Sequence, residues 1–383
     1  MSNYRPADHW KMMADHVRGD AYAEALRRTV SPGSVVLDIG TGTGAFALQA
    51  SVLGASRVYA VEYDDSLEVA RQLAAANGLS DRIEFIRGFS TEISLPERVD
   101  VIVSDLRGVL PLHGHHLTSI ADARRRFLRP GGVLIPQRDT IWATLVEAPD
   151  LYHQLVAPWE HDSHGLAFDA ARQLAVNRWS KVRITPGQLL SEARPWATLD
   201  YERVESPHVS GELSFVIRRP GMGHGWCLWF DATLVEHVGF SSAPGRPDLI
   251  YGNGFFPWTT PVELEPNDVV TLSLSADLVG DDYVWRWGTA VRERSDLGRI
   301  KASEQQSNFL AAPISLDVLD RGRADAMVTL GEEGRIDRAI LGLMDGELRI
   351  EEIAQRVADQ FGDRLTPEAA LSRVREVSRR YAS

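Results

Sequence analysis

The chain has 383 residues, of which 44% are hydrophobic, and it carries a formal net charge of -12. This size predicts two or three domains with hydrophobic cores. The acidic balance argues against a nucleic-acid partner, because phosphate binding requires a basic surface. A single cysteine, Cys227, excludes an intrachain disulfide framework. No apolar run reaches the length of a membrane span and the polar start is unlike a signal peptide, so we expect a cytoplasmic chain without a membrane partner.

The first predicted strand leads into a glycine-rich turn. Residues 35–37 form an apolar run that is typical of a buried parallel strand, and a helix is predicted to open at Phe46. A second strand, residues 57–61, ends at Glu62 and Tyr63, where a carboxylate can accept hydrogen bonds from both hydroxyls of a ribose. The pattern indicates a nucleoside cofactor. The turn residues predicted to contact it are Asp38, Gly40, Thr41, Gly42 and Gly44.

The spacing within this turn favours S-adenosylmethionine over a dinucleotide. A dinucleotide site requires GxGxxG, so that the N-terminus of a helix can hold a pyrophosphate, whereas this turn reads GxGxG after Asp38. Adenosylmethionine has no phosphate but carries a sulfonium and an amino acid head, and an acidic residue beside the turn suits that cation. The alternatives are a hydride-transfer enzyme and a glycine-rich loop that only turns the chain.

Two further strands end in polar residues. Residues 80–89 alternate like a third strand, and Ser90 and Thr91 after it are expected at the edge of the adenine ring. Residues 99–104 form a fourth apolar strand that ends at Asp105. Because a ligand of an open parallel sheet lies at the carboxyl ends of its strands, the four strand ends are expected to converge on one crevice.

Four segments resemble the protein arginine methyltransferase family: HWKMMADHVRGDAY near the start, SDLRG after the fourth strand, LRPGGVLIPQRDTIWATLVE at the change of domain and GWCLWFDATL in the β region. The resemblance runs from about His9 to about Gly288. It implies a methyltransferase domain followed by a β-barrel, paired in a homodimer. It also implies that His9, Met12 and Arg18 fold over the cofactor, with the arginine holding the cofactor's carboxylate through a bidentate fork.

The family clamps its arginine substrate between two glutamates of one loop, and only half of this clamp is visible here. The first acid aligns with Asp105 and the second with Gly114, while the family's Thr-His-Trp loop aligns with residues 249–251, which read LIY. Two carboxylates are what localise the charge of a guanidinium. The acceptor is therefore left open between an arginine-like cation, in a peptide or as a small metabolite, and a different group. Asp105 is predicted to position it or to take a proton.

Three histidines, His113, His115 and His116, follow in the loop HGHH. A histidine base is the more natural partner of a hydroxyl or carboxylate acceptor, so we name His115 and His116 as catalytic candidates beside Asp105. The alternative is that they are histidines of the surface or of a helix start. Their spacing differs from a metal motif such as HExxH, so no metal is predicted.

Short alternating runs separated by Pro, Gly and Asp predict a β-barrel substrate domain over residues 148–300. A helical arm is predicted near residues 151–175, where the family resemblance places a dimerisation arm. The tryptophans of the strands are predicted mainly as barrel core, with Trp258 or Tyr251 facing the substrate as the alternative. We interpret Cys227 as a small core residue.

A third unit is predicted over residues 312–383, where apolar residues recur with helical spacing. Its segment ILGLMDGELRIEEIAQRVADQFG resembles the PqqD-like family, whose winged-helix modules hold the leader peptides of ribosomally made natural products. The alternative is a structural or dimerising helix pair.

The predicted fold class is α/β. Helices within residues 1–30 cover the cofactor, and a doubly wound, Rossmann-like methyltransferase domain spans residues 31–147, followed by the β-barrel and the small helical or winged-helix domain. Three functions remain open. The first is methylation of a nitrogen on an arginine-like group. The second is methylation of another nitrogen or oxygen in a natural-product pathway. The third is a catalytically silent module that binds the cofactor only for folding.

Overall fold

The computed structural model of the chain describes residues 11–160, 166–293, 299–313 and 315–382. The chain divides into two units, Met1–Pro313 and Ile314–Ser383. The division falls within two residues of residue 312, the predicted start of the third unit. The predicted cofactor residue His9 lies outside the described residues. None of the described helices is long and apolar enough to cross a membrane.

In the described part of the first unit, helix α1 (His16–Thr29) precedes a five-stranded parallel sheet. The strands are β1 (Val35–Ile39), β2 (Arg57–Glu62), β3 (Ile83–Arg87), β4 (Val99–Ser104) and β5 (Leu128–Ile135). The connecting helices are α2 (Ala45–Val52), α3 (Ser66–Ala76) and α4 (His116–Arg126). Every residue of β1 is buried, as expected for a central strand covered on both faces. The order β3-β2-β1-β4-β5 reverses direction at β1, which opens a crevice at the carboxyl ends of β1 and β4.

Within the described residues, the rest of the first unit forms two antiparallel sheets and two α-helices. The strands are β6 (Arg138–Val146), β7 (Ser180–Val182), β8 (Arg194–Asp200), β9 (Val209–Val216), β10 (Gly221–Val235), β11 (Val238–Ser241), β12 (Asn253–Leu264), β13 (Val269–Val279), β14 (Asp282–Arg292) and β15 (Ile300–Ser307). One sheet has the order β7-β12-β10-β6-β8, with β11 paired to β10, and the other has the order β15-β14-β13-β9. Helices α5 (Pro149–Glu160) and α6 (Asp169–Val176) follow β6, in the region of the predicted arm. The α/β fold class with an added antiparallel β domain is thus confirmed.

Aromatic side chains form much of the core between these sheets. Trp226, Trp258, Trp285 and Trp287 are almost completely buried, and the ring of Phe256 lies 5.3 Å from the rings of both Trp285 and Trp287. Such rings bury large apolar surfaces and dominate the packing energy of a core. Since Trp258 is fully buried, it belongs to this core. Cys227 is buried in a separate apolar cluster with Trp229 and Phe255.

Two boundaries differ from the sequence prediction. Strand β6 pairs along its length with β10, so the antiparallel part begins near residue 138 rather than at 148. The apolar residues at the end of β5 are followed closely by those of β6. The sequence pattern therefore does not mark the point at which the chain passes from one sheet to the other. At the other end, β15 extends the barrel to Ser307 although its sequence is polar. It lies at the edge of its sheet, where one side is unpaired and polar residues are common.

The described residues of the second unit form helices, of which the last three pack around a small apolar core. They are α7 (Leu316–Arg321), α8 (Glu332–Gly342), α9 (Ile350–Phe361) and α10 (Pro367–Tyr381). Ile340, Val357 and Val374 are completely buried between the last three helices. No strand occurs within the described residues of this unit, so the wing of the predicted winged-helix module is absent from them. The PqqD-like assignment stays a prediction.

Candidate active site

The turn after β1 has a backbone that requires glycine. Gly40, Gly42 and Gly44 have φ angles of 70°, 54° and 86°, in the left-handed region that other residues rarely adopt. The backbone N–H groups of Gly40 and Thr41 donate to the carbonyl of Val61 at 2.9 and 3.0 Å, which ties the turn to β2. The turn thereby presents bare backbone at the carboxyl end of the sheet, where a ligand can approach closely.

Asp38 supports this turn from inside the sheet. Its Oδ2 accepts hydrogen bonds from the Thr41 hydroxyl at 2.6 Å and from the Ala47 N–H at 3.0 Å. Its Oδ1 is buried and has no hydrogen-bond partner among the described residues. Burial raises the pKa of Asp38 to about 7. A buried carboxylate oxygen without a donor is costly, and the cationic head of adenosylmethionine would relieve that cost.

Glu62, at the end of β2, faces the same turn. Its Oε2 accepts a hydrogen bond from the Gly42 N–H at 3.0 Å, and its Oε1 accepts from the Tyr63 N–H at 2.9 Å and the Asp64 N–H at 3.4 Å. Burial, together with the charge of Asp64, raises the pKa of the Glu62 carboxyl. A carboxylate offers about four acceptor positions, so Glu62 is fixed by the backbone and retains room for a ribose hydroxyl.

The loop after β3 carries the predicted adenine contacts. Ser90 is buried and Thr91 is exposed. The loop is fastened by Arg126 of α4, whose guanidinium donates to the carbonyl of Ser90 at 2.5 Å and to that of Ile93 at 2.7 Å. Asp122 holds this guanidinium at 2.9 and 3.0 Å from Arg126 Nε. Arg126 was not predicted, because only folding brings α4 beside the loop.

The side chain of Arg18, in α1, contacts Asp105 at the end of β4. Its Nε donates to Oδ2 of Asp105 and, at 3.2 Å, to the hydroxyl of Tyr251. Its Nη1 donates to the carbonyl of Met12 at 3.3 Å. No described residue accepts a hydrogen bond from Nη2. Asp15 caps α1 through the Arg18 N–H at 3.0 Å, which fixes the position of the arginine.

Asp105 is the central acid of the crevice and is already surrounded by donors. Besides Arg18, the Tyr251 hydroxyl donates to its Oδ2 at 2.6 Å and Nη1 of Arg107 donates to its Oδ1 at 3.1 Å. Burial opposes the charge of this carboxyl, but the two guanidinium groups outweigh burial and lower its pKa. Asp105 is therefore a carboxylate at neutral pH and a weak base.

Arg107, two residues further on, is completely buried and holds a second acid. It donates to both oxygens of Asp139 at 2.6 and 2.9 Å, and to the Tyr22 hydroxyl at 2.8 Å. The bidentate geometry with Asp139 is that of a strong charge-assisted pair. Arg107 and Asp139 were not predicted from the sequence, although the segment SDLRG contains Arg107.

The two candidate histidines lie in different surroundings. His116 is buried, and its Nε2 lies 2.9 Å from the Tyr201 hydroxyl, which donates to Asp139 at 2.5 Å. Burial, with a contribution from the Arg107 charge, lowers the pKa of His116 to about 3, so the ring is neutral. His115 is half exposed and lies 3.0 Å from Asp281 on the hairpin between β13 and β14. The structure brings His116 into the Asp105 network and leaves His115 at the surface.

The second clamp position, Gly114, lies beside Asp281, and the barrel loop aligned with Thr-His-Trp lies beside Asp15. Gly114 has a φ angle of 46°. Apart from atoms of its chain neighbours, the heavy atom nearest to a Cβ atom at this position would be the carbonyl oxygen of Asp281, at 3.9 Å. In the loop aligned with the family's Thr-His-Trp, the Ile250 N–H donates to Asp15 Oδ2 at 2.7 Å. No group of His, Cys, Asp and Glu among the described residues is arranged to hold a metal ion.

Known proteins with similar sequences are methyltransferases. Residues 16–136 match the family model of ribosomal protein L11 methyltransferase (PrmA). The chain is 33% identical over 238 residues to protein arginine N-methyltransferase 6 of Danio rerio, covering 59% of this chain and 68% of the relative. It is 30% identical over 249 residues to probable protein arginine N-methyltransferase 6 of Arabidopsis thaliana, covering 62% of this chain. The match spans only 56% of the length of the Arabidopsis protein.

Solved structures share the fold over most of the first unit's length. A Trypanosoma brucei PRMT1 enzyme-prozyme heterotetrameric complex with AdoHcy aligns with a TM-score of 0.70 at 20% identity, covering 78% of this chain and 96% of that one. Arabidopsis thaliana protein arginine methyltransferase 10 aligns with a TM-score of 0.68 at 23% identity, again covering 78% and 96%. The combination of parallel sheet and antiparallel β domain is thus a known architecture.

Proposed function

Because this chain belongs to the protein arginine N-methyltransferase family, we propose that it transfers a methyl group from S-adenosylmethionine to an acceptor bound beside the end of β4. The observation that carries this proposal is the buried Oδ1 of Asp38, an acceptor without a partner beneath a turn of bare glycine backbone. It marks a place for a cation, and the sulfonium donor is a cation. The AdoHcy in the Trypanosoma complex is consistent with this cofactor.

The residues proposed to bind the cofactor surround this turn. Glu62 would hold the ribose, Ser90 and Thr91 the adenine edge, and Nη2 of Arg18 the carboxylate of the amino acid head. When bound, adenosylmethionine supplies an electrophilic methyl group. The remaining proposed contacts are His9, Met12, Asp38, Gly40, Thr41, Gly42, Gly44, Tyr63 and Asp105.

The protein's own contribution to catalysis is positioning. Burial of Arg18 and Asp105 keeps their charges fixed in a dry crevice, and fixed charges require no rearrangement as the reaction proceeds. Holding an acceptor in line with the methyl group can lower the barrier by roughly 7 to 11 kcal/mol at the extreme. No covalent intermediate with a protein residue is required.

Two classes of acceptor are compatible with the proposed methyl transfer. The names of the relatives favour a guanidinium nitrogen of arginine in a protein or peptide, and the acid Asp105 supports that class. A different nitrogen or oxygen acceptor is favoured by Gly114, which leaves one acid where the family's clamp has two. In either class His116 would help to support the acceptor pocket. The contact of the exposed His115 with Asp281 favours no role in that pocket.

We also propose that the protein acts as a homodimer, on the family likeness and on the helices α5 and α6, which lie where the family's arm is inserted. Light scattering coupled to size-exclusion chromatography tests this point. A monomeric mass at micromolar concentration would contradict it.

The proposed function is tested by two measurements on the full chain. Calorimetric titration with AdoHcy is expected to show binding of one molecule per chain. Incubation with adenosylmethionine labelled in its methyl group, followed by mass spectrometry, is expected to show transfer to a component of a cell extract. Failure to bind AdoHcy would refute the cofactor site, and binding without any transfer would favour a silent module.

A further inference from the structure

The end of β4 contains a guanidinium that the protein itself supplies. From its contacts we infer that the acceptor is uncharged when it binds, because Arg107 occupies the acid that a substrate guanidinium would need. This inference rests on the proposed methyl transfer and chooses between its two acceptor classes.

Arg107 lies in a setting that would suit a bound arginine substrate. Its guanidinium is shared by two carboxylates, Asp139 on one side and Asp105 on the other. Its planar group also lies over the rings of Phe230 and Phe240, with the central carbon 5.5 and 5.7 Å from the ring centres. Acid on two sides and an aromatic face are what a protein uses to bind a guanidinium. The position is therefore filled from within the chain.

The remaining surface of Asp105 is taken by other donors. Arg18 and the Tyr251 hydroxyl both donate to Oδ2, while Arg107 donates to Oδ1. Only 3% of the Asp105 side chain is exposed. A carboxylate has about four acceptor positions, and a guanidinium fork requires two of them. An arginine substrate could bind Asp105 only by displacing one of its present partners.

The charges lead to the same conclusion. The cations Arg18 and Arg107 are balanced by the anions Asp105 and Asp139, and all four side chains are buried. The donor adds one net positive charge to this crevice. Asp105 and Asp139 are thus already neutralised, so a further cation at the end of β4 would find an unpaired charge on neither of them, and a buried unpaired charge is strongly disfavoured. Gly114 provides no acid at the second position of the clamp.

An uncharged amine, amide or hydroxyl meets none of these obstacles. Its lone pair forms the bond to the methyl carbon, and the carbon–sulfur bond breaks with its electron pair going to sulfur. The acceptor then sheds one proton, which passes to water. Because two guanidinium groups hold Asp105 in its ionised form with a lowered pKa, Asp105 stabilises the positive charge that develops on the acceptor more readily than it removes the proton.

The identity of the methylated product tests this inference. The full chain, labelled adenosylmethionine, a cell extract and an arginine-rich peptide are combined, and the products are identified by mass spectrometry. We expect label on a nitrogen or oxygen that is uncharged before reaction, with methylarginine formed at least 100-fold more slowly. Methylarginine as the main product overturns the inference. No label at all, in a chain that binds AdoHcy, refutes the proposed transfer itself and the inference with it.

A binding measurement with a guanidinium probe adds a test that does not depend on turnover. Agmatine is titrated into the AdoHcy complex of the wild type, of Gly114→Glu and of the control Gly131→Glu. Both glycines have positive φ and no close neighbour, so the control introduces the same charge and a similar backbone strain at a distant turn. We expect agmatine to bind at least tenfold more tightly to Gly114→Glu than to either other protein. Micromolar binding by the wild type, or an equal gain in the control, contradicts the inference.

Discussion

Asp38→Asn is expected to stabilise the free protein at pH 8 while weakening its binding of the cofactor. Burial raises the pKa of Asp38 from its ordinary 3.8 to about 7. The folded chain thus binds this proton more tightly than the unfolded chain does. The contribution of Asp38 to stability is complete below about pH 4 and is lost as the pH rises to about 7. At pH 8 the wild type bears the full cost of a buried carboxylate, and the amide does not.

The size of the effect follows from the difference between the two pKa values. About three units at 1.36 kcal/mol each give an upper limit of about 4 kcal/mol. The amide oxygen can still accept from Thr41 and Ala47, but the amide nitrogen takes the place of an oxygen that has no partner. A buried donor without a partner costs about 1 to 3 kcal/mol, so we expect a net gain of roughly 1 to 3 kcal/mol at pH 8.

The pH dependence must be read as a difference between variant and wild type. Burial lowers the pKa of His116 to about 3, so the contribution of His116 to stability is lost as the pH falls below its ordinary value of 6.5. This slope opposes that of Asp38 between about pH 4 and 6.5, and the wild-type curve alone would conceal both. The Asp38→Asn gain is expected to shrink steadily from pH 8 toward pH 4.

Urea unfolding followed by tryptophan fluorescence measures the gain, and calorimetry with AdoHcy and adenosylmethionine measures the loss of affinity. Asp100→Asn is the control: Asp100 accepts a hydrogen bond from the Val35 N–H at 2.8 Å and pairs with Arg129, so its substitution is expected to lower stability at pH 8. A loss of stability in Asp38→Asn at pH 8, or a gain that is equal at pH 4, would refute the reasoning.

Three further outcomes are expected. Glu62→Ala should weaken AdoHcy binding at least 100-fold in calorimetry, whereas Glu84→Ala, on the exposed face of β3, should change it less than twofold; equal effects would contradict the ribose assignment. Arg126→Met should raise the Kd for AdoHcy about tenfold, because it releases the loop after β3 that carries Ser90 and Thr91. Arg125→Met, which removes an exposed ion pair, should leave the Kd unchanged; unchanged binding in both variants would show that the loop keeps its conformation without Arg126. A chain ending at Pro313 should keep its AdoHcy affinity within about twofold, because the first unit has its own core; loss of folding would contradict this.

The sequence was informative where the site is made of local pattern. A strand, a glycine turn and an acid at the next strand end follow one another along the chain, so the parallel sheet and the family could be predicted before any contact was known. The antiparallel domain was predicted as well, but its limits were misplaced by the apolar junction before Arg138 and the polar edge strand that ends at Ser307. A sequence pattern predicts that a strand forms more reliably than it predicts which sheet that strand joins.

The contacts that decide the chemistry could not be predicted in the same way. Arg107 lies 32 residues from Asp139 along the chain, and Arg18 lies 233 residues from Tyr251. Only the folded chain shows that Arg18, Arg107 and Tyr251 share Asp105. The resemblance predicted only a cofactor contact for Arg18, and it did not indicate that Arg18 Nε donates to Asp105.

The completeness of the Asp105 network argues against a site that has merely lost its function. A buried ion network is a weak source of stability, since the cost of removing its charges from water offsets most of their attraction. Yet Arg107 has an acceptor for each of its nitrogens, and Asp139 is shared further with Tyr201. Apolar residues of similar size would serve the fold as well. The network is therefore better explained by the electrostatic environment it creates at the end of β4, where Arg18 and Arg107 balance Asp105 and Asp139.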